Sequence, residues 1–529
     1  MRQAVVTRIT VSSIAGLVVW LCAAPVNAVP ALQDVVMYEI NLRAFSQAGD
    51  LAGVTARLDE IQSLGANVLW LMPIHPIGQE RTVGQLGSPY SVRDYSVVSS
   101  EYGALSDLSS LVDAAHDRGM FVLMDWVANH TAWDHGWMAN ADWYTQNPQG
   151  EIIHPPGTNW LDVADLNYSS TAMRSAMISE MQHWISNVGI DGFRADAADF
   201  VPFDFWQQAI PAVRGATQRP LLMLAEGARS DHYDAGFDLT FDWSFYNTVK
   251  SVFNSSNSAT ALGTSHTAAY SHVPEGKSIL RFTTNHDESA WDATPVELFG
   301  GLDASLAAYA VTVAYGATPL VYASQEIGWS QNVPIFSKSP LDWTTGQDTA
   351  EWYAELLSIR EDHIALRQGT LTDQSNSDVA MLMRENDGDQ VLIIVNTRDQ
   401  LSQIQVPAAW QGGWFNQFTG DAELLTPMHM LDAYQVLILA AAPPSQSGDF
   451  DGDGDVDGLD FLKWQRGESP NPMTSADLND WQTNFGPGSL VAAGQAVGEP
   501  ASGLLALAAT AAIALLRNRR HDGLILNIS

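Results

Sequence analysis

Between residues 35 and 367 the chain alternates short, continuous apolar runs with longer stretches whose apolar positions recur at intervals of three and four. The short runs predict strands buried on both faces, and the longer spacing predicts helices with one apolar stripe. Predicted strands are Val35–Phe45, Asn67–Pro73 (NVLWLMP), Met120–Val127 (MFVLMDWV), Gly192–Asp196, Leu221–Glu226 (LLMLAE), Phe237–Trp243, Ile279–Asp287 and Leu320–Ser324. Helical spacing falls at 51–64, 105–118, 169–188, 204–215, 303–315 and 351–367. Eight strands, each followed by a helix or a long loop, predict an α/β fold, a (β/α)8 TIM barrel spanning 29–368.

The rhythm breaks at 131–168, where Trp, Gly, Pro and Asn cluster, which predicts a short domain inserted after the third strand. From 369 to 442 short alternating segments such as VLIIVN and YQVLIL, separated by Gly and Asp turns, predict an antiparallel β-sandwich domain. A linker at 443–448 follows. At 449–460 Asp449, Asp451, Asp453, Asp455, Asp457 and Asp460 occupy loop positions 1, 3, 5, 7, 9 and 12 with Gly454 at position 6, the ligand spacing of an EF-hand Ca2+ loop. Position 12 is Asp where such loops usually carry Glu. The run Leu459–Gln465 is echoed by Ala476–Gln482, and residues 449–487 resemble a dockerin type I module, which implies a protein partner. The final segment, 488–529, holds Glu499-Pro500, an apolar run and then Arg517, Arg519 and Arg520. It resembles a PEP-CTERM sorting tail, although Gly498 stands where that family usually has Pro, and implies contact with a membrane or a sorting machinery.

Composition narrows the classes. A formal charge of −35 argues against nucleic acid as a partner and suits an exported protein or one with many divalent-cation ligands. Residues 1–28 read as a secretory signal: Arg2 and Arg8, an apolar run, then Val26-Asn27-Ala28. The single cysteine, Cys22, lies within it, so the mature chain has no disulfides. The expected location is extracellular or at the cell surface.

Four predicted strand ends carry acids or imidazoles: Asp125 to His130, Arg194 to Asp196, Glu226, and Asn285-His286-Asp287. Each alone has a plain reading, since Asn129-His130, Asp196, Asn285 or Asp287 could cap a helix and Glu226 could pair with a surface arginine. In a barrel, however, the C-terminal strand ends converge on one mouth. Three carboxylates with two His and one Arg suit glycoside chemistry, which needs an acid for the leaving oxygen and an anion for the oxocarbenium-like carbon; in retaining enzymes the two lie about 5–5.5 Å apart. The apolar approach to Glu226 is expected to keep it protonated, and Arg194 is expected to keep Asp196 ionised.

These motifs resemble the α-amylase family of glycoside hydrolases, family 13, over about residues 35–442. The resemblance implies Asp196 as nucleophile, Glu226 as general acid/base and Asp287 as the transition-state stabiliser. It further implies His130, Arg194 and His286 in the same subsite, Tyr90 stacked on the sugar, and Asn129 and Asp165 as calcium ligands. The implied activity is hydrolysis of α-1,4 links in starch, glycogen or maltodextrin. An α-glucanotransferase or α-glucosidase of the same family is the alternative, and a non-catalytic surface glucan binder the reading from another class. Two departures stand out: many family members have Lys-His three and four residues after the nucleophile where this chain has Asp199-Phe200, and the inserted domain, about 131–168, is short for the family.

Overall fold

The computed structural model describes residues 29–254, 257–441, 447–450, 456, 458–467, 469–471 and 474–485. Eight parallel strands close into a barrel in sequential order. They are β1 (Met37–Ile40), β2 (Val68–Leu71), β3 (Phe121–Val127), β4 (Gly192–Asp196), β5 (Leu222–Ala225), β6 (Leu239–Phe241), β7 (Ser278–Arg281) and β8 (Thr318–Tyr322).

Strand alternation sorts the side chains into two cores. Met37, Val68, Trp70, Phe121, Leu123, Leu222, Leu224, Leu239, Leu280 and Leu320 fill the barrel. Their neighbours Tyr38, Ile40, Leu69, Val122, Met124, Phe193, Ala195, Met223 and Val321 pack outward against the helices. Continuing each inward row by two residues gives Glu39 after Met37, Asp125 after Leu123 and Glu226 after Leu224; in β4 the inward row is Gly192, Arg194 and Asp196. The interior therefore turns from apolar to charged at its C-terminal mouth, the end where barrels carry their chemistry. Gly192 is required by a close approach. Its φ is +148°, and a Cβ there would lie 1.8 Å from the Leu222 carbonyl oxygen.

The helix Thr171–His183 continues as one π turn, Trp184–Val188, and stops at Gly189 with φ +83°. The helix Leu302–Ala314 is almost wholly buried, which explains its nearly continuous apolar sequence. Two strand predictions overrun: the first strand stops at Ile40, where the Asn41 side chain caps a helical turn over Leu42–Phe45, and the other is β7. The strand ends at Arg281 rather than running to Asp287, and the Asn285 side chain caps the helix His286–Trp291 by accepting the Glu288 N–H at 2.9 Å. The capping and the functional readings of that motif are thus both physically available. Asp196, by contrast, caps nothing.

After β3 the chain forms a small antiparallel pair, His130–Ala132 with Val163–Asp165, closing the inserted segment. Beyond the barrel lie a six-stranded antiparallel sheet, whose first strand starts at Thr370 and whose last ends at Ala440, and a two-stranded ribbon, Ser402–Gln405 with Met428–Leu431. Val379, Met381, Leu392, Ile394, Ile404, Leu431 and Leu439 form their shared core.

The chain divides into two units, the first ending at Pro444 and the second starting at Ser445. In the second, helices Gly458–Arg466 and Ser475–Asn484 pair through Phe461 and Trp481, whose ring centroids are 4.7 Å apart. Asp460 accepts the Phe450 N–H at 2.6 Å, and Asp477, after the second helix start, accepts the Asn471 N–H at 2.8 Å. The signal segment, Asp451, Asp453, Asp455, Asp457 and the sorting tail lie outside the described residues. Among the described residues no helix is long and apolar enough to cross a membrane.

Candidate active site

The polar ends of the inward rows converge on Arg194. Its Nη1 donates to Asp125 Oδ1 at 2.9 Å, to Asp125 Oδ2 at 3.1 Å and to Asp196 Oδ1 at 2.9 Å. Its Nη2 lies 3.0 Å from Glu226 Oε1 but makes no hydrogen bond. The guanidinium also rests over the Trp70 ring, 4.9 Å from its centroid, while Trp70 Nε1 donates to Asp125 Oδ2 at 3.1 Å. One fully buried cation is therefore shared by three carboxyl groups.

That sharing corrects the expected ionisation. Burial pushes both Asp196 and Glu226 above the usual carboxylate range; Arg194 opposes the rise in each, but the Asp196 carboxyl is also raised by Glu226 and Asp125 and is held well above its ordinary value. Arg194 alone does not keep Asp196 ionised, because the neighbouring acids compete for it. Glu226 behaves as expected, with desolvation as the leading cause and the Asp287 carboxylate adding to it.

His286 forms the second centre. Its Nδ1 bonds to the buried Glu39 carboxylate, and its Nε2 lies 2.7 Å from the Tyr90 hydroxyl and 3.5 Å from Asp287 Oδ2. Burial pulls this imidazole down, yet Asp287 and Glu39 lift it to about 9. Tyr90 stacks on His286 with ring centroids 5.4 Å apart, and its hydroxyl also reaches Asp125 Oδ2 at 3.2 Å. Asp287, on the first turn of its helix, is the most exposed of the predicted trio, its side chain 41% accessible.

A cleft of about 620 Å³ opens over these groups, lined among others by Tyr90, His130, Asp196, Glu226, His286 and Asp287. All three acids, both His and Tyr90 assigned to the site from sequence therefore meet in one place, with Arg194 beneath them. His130 is held near 4 by burial, so it lines the cleft as a neutral ring. Glu39 and Trp70 were not singled out from sequence, and Asp125 was read only as the start of a strand-end motif, with no role of its own. The available signal was a lone carboxylate inside each of two buried apolar strands, which burial tolerates only with a partner.

The two residues proposed for calcium both adjoin His130. Asn129 Nδ2 bonds to His130 Nδ1 at 3.2 Å, and Asp165 faces His130 across the small hairpin, its carboxyl raised by burial. Calcium takes about six to eight oxygens. Among the described residues no group of three acidic or imidazole ligands is gathered for a metal. Asn129 and Asp165 would supply one amide oxygen and one carboxyl toward that number.

A carboxylate cluster around one arginine, at the C-terminal mouth of a closed parallel barrel, defines a barrel protein equipped for acid–base work on a ligand in the cleft. Residues 39–162 and 158–381 match the alpha amylase catalytic domain, and the chain belongs to that family. It is 28% identical over 412 residues to alpha-amylase MalA of Haloarcula japonica, a match covering 73% of this chain and 59% of that protein. It is 31% identical over 202 residues to the probable oligo-1,6-glucosidase 2 of Bacillus subtilis, covering 31% of this chain and 34% of the relative. Among solved structures, an alpha-amylase from Lactobacillus plantarum superposes with a TM-score of 0.71 at 26% identity, over 78% of this chain and 99% of the other.

Proposed function

We propose that this chain is an exported, retaining α-glucan hydrolase that cleaves α-1,4-glucosidic bonds by double displacement. The observation that carries the reading is the asymmetry at Arg194, which donates a hydrogen bond to Asp196 and only lies beside Glu226. A charge-assisted hydrogen bond favours the anion that accepts it. The reaction needs the Asp196 anion, which the bond from Arg194 favours, and a protonated Glu226, which burial and the Asp287 carboxylate favour.

Chemistry then follows from those two states. Glu226 gives its proton to the glycosidic oxygen as the C–O bond breaks, and an Asp196 oxygen bonds to the anomeric carbon. Glu226, now a carboxylate, takes a proton from water, whose oxygen attacks the same carbon and releases Asp196. Asp287 and the cationic His286 hold sugar hydroxyls, and Tyr90 and neutral His130 shape the same subsite. Water-excluding burial strengthens each of these interactions.

The preference for α-glucans rests on the family and on the relatives' names; α-glucosidase or transferase action is the second reading, favoured by the oligo-1,6-glucosidase match and by Asp199-Phe200. The remaining devices read as delivery: the signal for export, the dockerin-like module for Ca2+ and a protein partner, and the tail for envelope sorting. Purified protein should release reducing sugar from starch, and Glu226→Gln should lower that rate about 10³-fold. Full activity in the variant removes the assignment, and glucan binding without turnover in the wild type establishes the non-catalytic reading instead.

A further inference from the structure

The end of the barrel opposite the mouth holds a second cavity, of about 640 Å³. It is bounded by Val36, Asn67 and Met120, which stand just before β1, β2 and β3, and by Gln62, Leu357 and Glu361 on the flanking helices. Three arginines complete its lining, Arg118, Arg360 and Arg367. In a chain with a formal charge of −35, three cations around one cavity reverse the prevailing sign.

Arg360 is only 2% exposed, yet no carboxylate pairs with it. Its Nη2 donates to the Gln33 carbonyl at 2.6 Å and to the Ala317 carbonyl at 3.3 Å, while Nε and Nη1 make no hydrogen bond. The buried arginines Arg43, Arg194, Arg281 and Arg398, by contrast, each meet a carboxylate within 3.0 Å. Arg384 also lacks one, but it covers Gly316 and donates to the Ala365 and Tyr315 carbonyls. A buried charge is costly unless it is paired and hydrogen-bonded, and burial accordingly pushes Arg360 down to about 10. The neighbouring groups leave the deficit in place. Asp34 is engaged by Arg367 Nη1, and Glu361 is exposed and pairs with none of the three. Arg367 Nη2 donates to the Glu361 carbonyl at 2.9 Å, and its buried Nε has no partner. Arg118 donates from Nε to Asp59 at 2.6 Å and from Nη1 to the Ala114 carbonyl at 2.9 Å, with Nη2 unbonded. Each guanidinium thus gives part of its fork to the fold and keeps part free.

We propose that this cavity is a phosphate site, with Arg360 as its buried anchor and Arg118 and Arg367 as further donors. A tetrahedral dianion offers several acceptor oxygens to guanidinium forks at once, which a single halide cannot do. The ligand is inorganic phosphate or the phosphate group of a sugar monoester, and the volume of the cavity leaves room for the sugar. Bound there, the anion links the helix Gln347–Asp362 to the chain just before β1 and β3. A ligand that binds the folded state alone stabilises it. None of the three arginines lines the catalytic cleft, so the site acts on stability and leaves the chemistry at the mouth unchanged. It stands apart from the hydrolase reading.

The test titrates the full chain by calorimetry with inorganic phosphate and with glucose 6-phosphate, and follows the melting temperature against sodium chloride of matched ionic strength. One site per chain and a saturable rise in melting temperature with phosphate but not with chloride are expected. Tighter binding of the ester assigns the rest of the cavity to the sugar, and equal affinity assigns the site to the phosphate group alone. Arg360→Gln should lower the affinity at least about tenfold, the loss of a charge-assisted pair. Should that variant fail to fold, Arg118→Gln decides, because the Arg118 side chain is 30% accessible and its removal leaves the core intact; a loss of about threefold or more is expected. No heat with either phosphate, an equal rise in melting temperature with chloride, or wild-type affinity in either folded variant overturns the site.

Discussion

Arg194 and Asp125 meet as an ion pair with no accessible surface on either side chain, although 69 positions separate them in sequence. Removing one partner of a buried pair leaves an uncompensated charge and costs about 3–5 kcal/mol. Asp125→Asn should sit near the lower end, since Asp196 and Glu226 remain beside the guanidinium. Urea unfolding measures that cost. The same substitution removes one of the charges that raise Asp196, so the acid limb of the pH–rate profile should move to lower pH. An unmoved limb means that Asp196 does not set it.

His286 makes stability pH-dependent. Its folded value of about 9 lies above its ordinary 6.5, so the contribution is complete below pH 6.5 and declines as the pH rises through 9. Melting temperature followed from pH 6 to 10 should show wild type losing its advantage over His286→Gln across this window. A constant difference would mean that the imidazolium is not bound more tightly in the folded state.

Gly192→Ala should displace β4 against β5. The Cβ would meet the Leu222 carbonyl at 1.8 Å, and a backbone atom cannot swing aside as a flexible side chain can. Overpacking with a strained φ costs at least about 2 kcal/mol. Because Arg194 and Asp196 ride on the same strand, activity should fall more than tenfold under conditions where the variant remains folded by circular dichroism. Wild-type activity in a folded variant would show that the strand absorbs the methyl group without moving its charged end.

Calcium binding is expected in the second unit. Asp460 already ties the Phe450 backbone to the first helix, which places the twelfth loop position next to the loop's start. Calorimetric titration of the full chain with Ca2+ should lose one site in Asp460→Ala. An unchanged stoichiometry would assign the acidic run to a solvated linker.

Much of the barrel was legible because strands buried on both faces must be apolar throughout, and a parallel sheet supplies eight such runs in a row. The motif ending at Asp287 was legible as chemistry but not as local structure. Its apolar and β-branched residues read as strand to the end, whereas β7 stops at Arg281 and Asn285 opens a helix, because the local side-chain cap competes with the ladder. Glu39 went unread for another reason. A single acid in Met37–Ile40 has no meaning until His286, 247 residues away, arrives to bond it.

By itself, then, the order of residues determined the alternation that builds the barrel and the inward rows that end in charge. Those are properties of periods of two and of burial, and they are written locally. Only the tertiary structure decided how one guanidinium is divided among Asp125, Asp196 and Glu226, that burial rather than Arg194 dominates the Asp196 carboxyl, and that Asp199 is taken up by His232 and the Ala228 N–H. Those outcomes depend on distances of about 3 Å across strands and on the exclusion of water, and neither exists until the barrel closes.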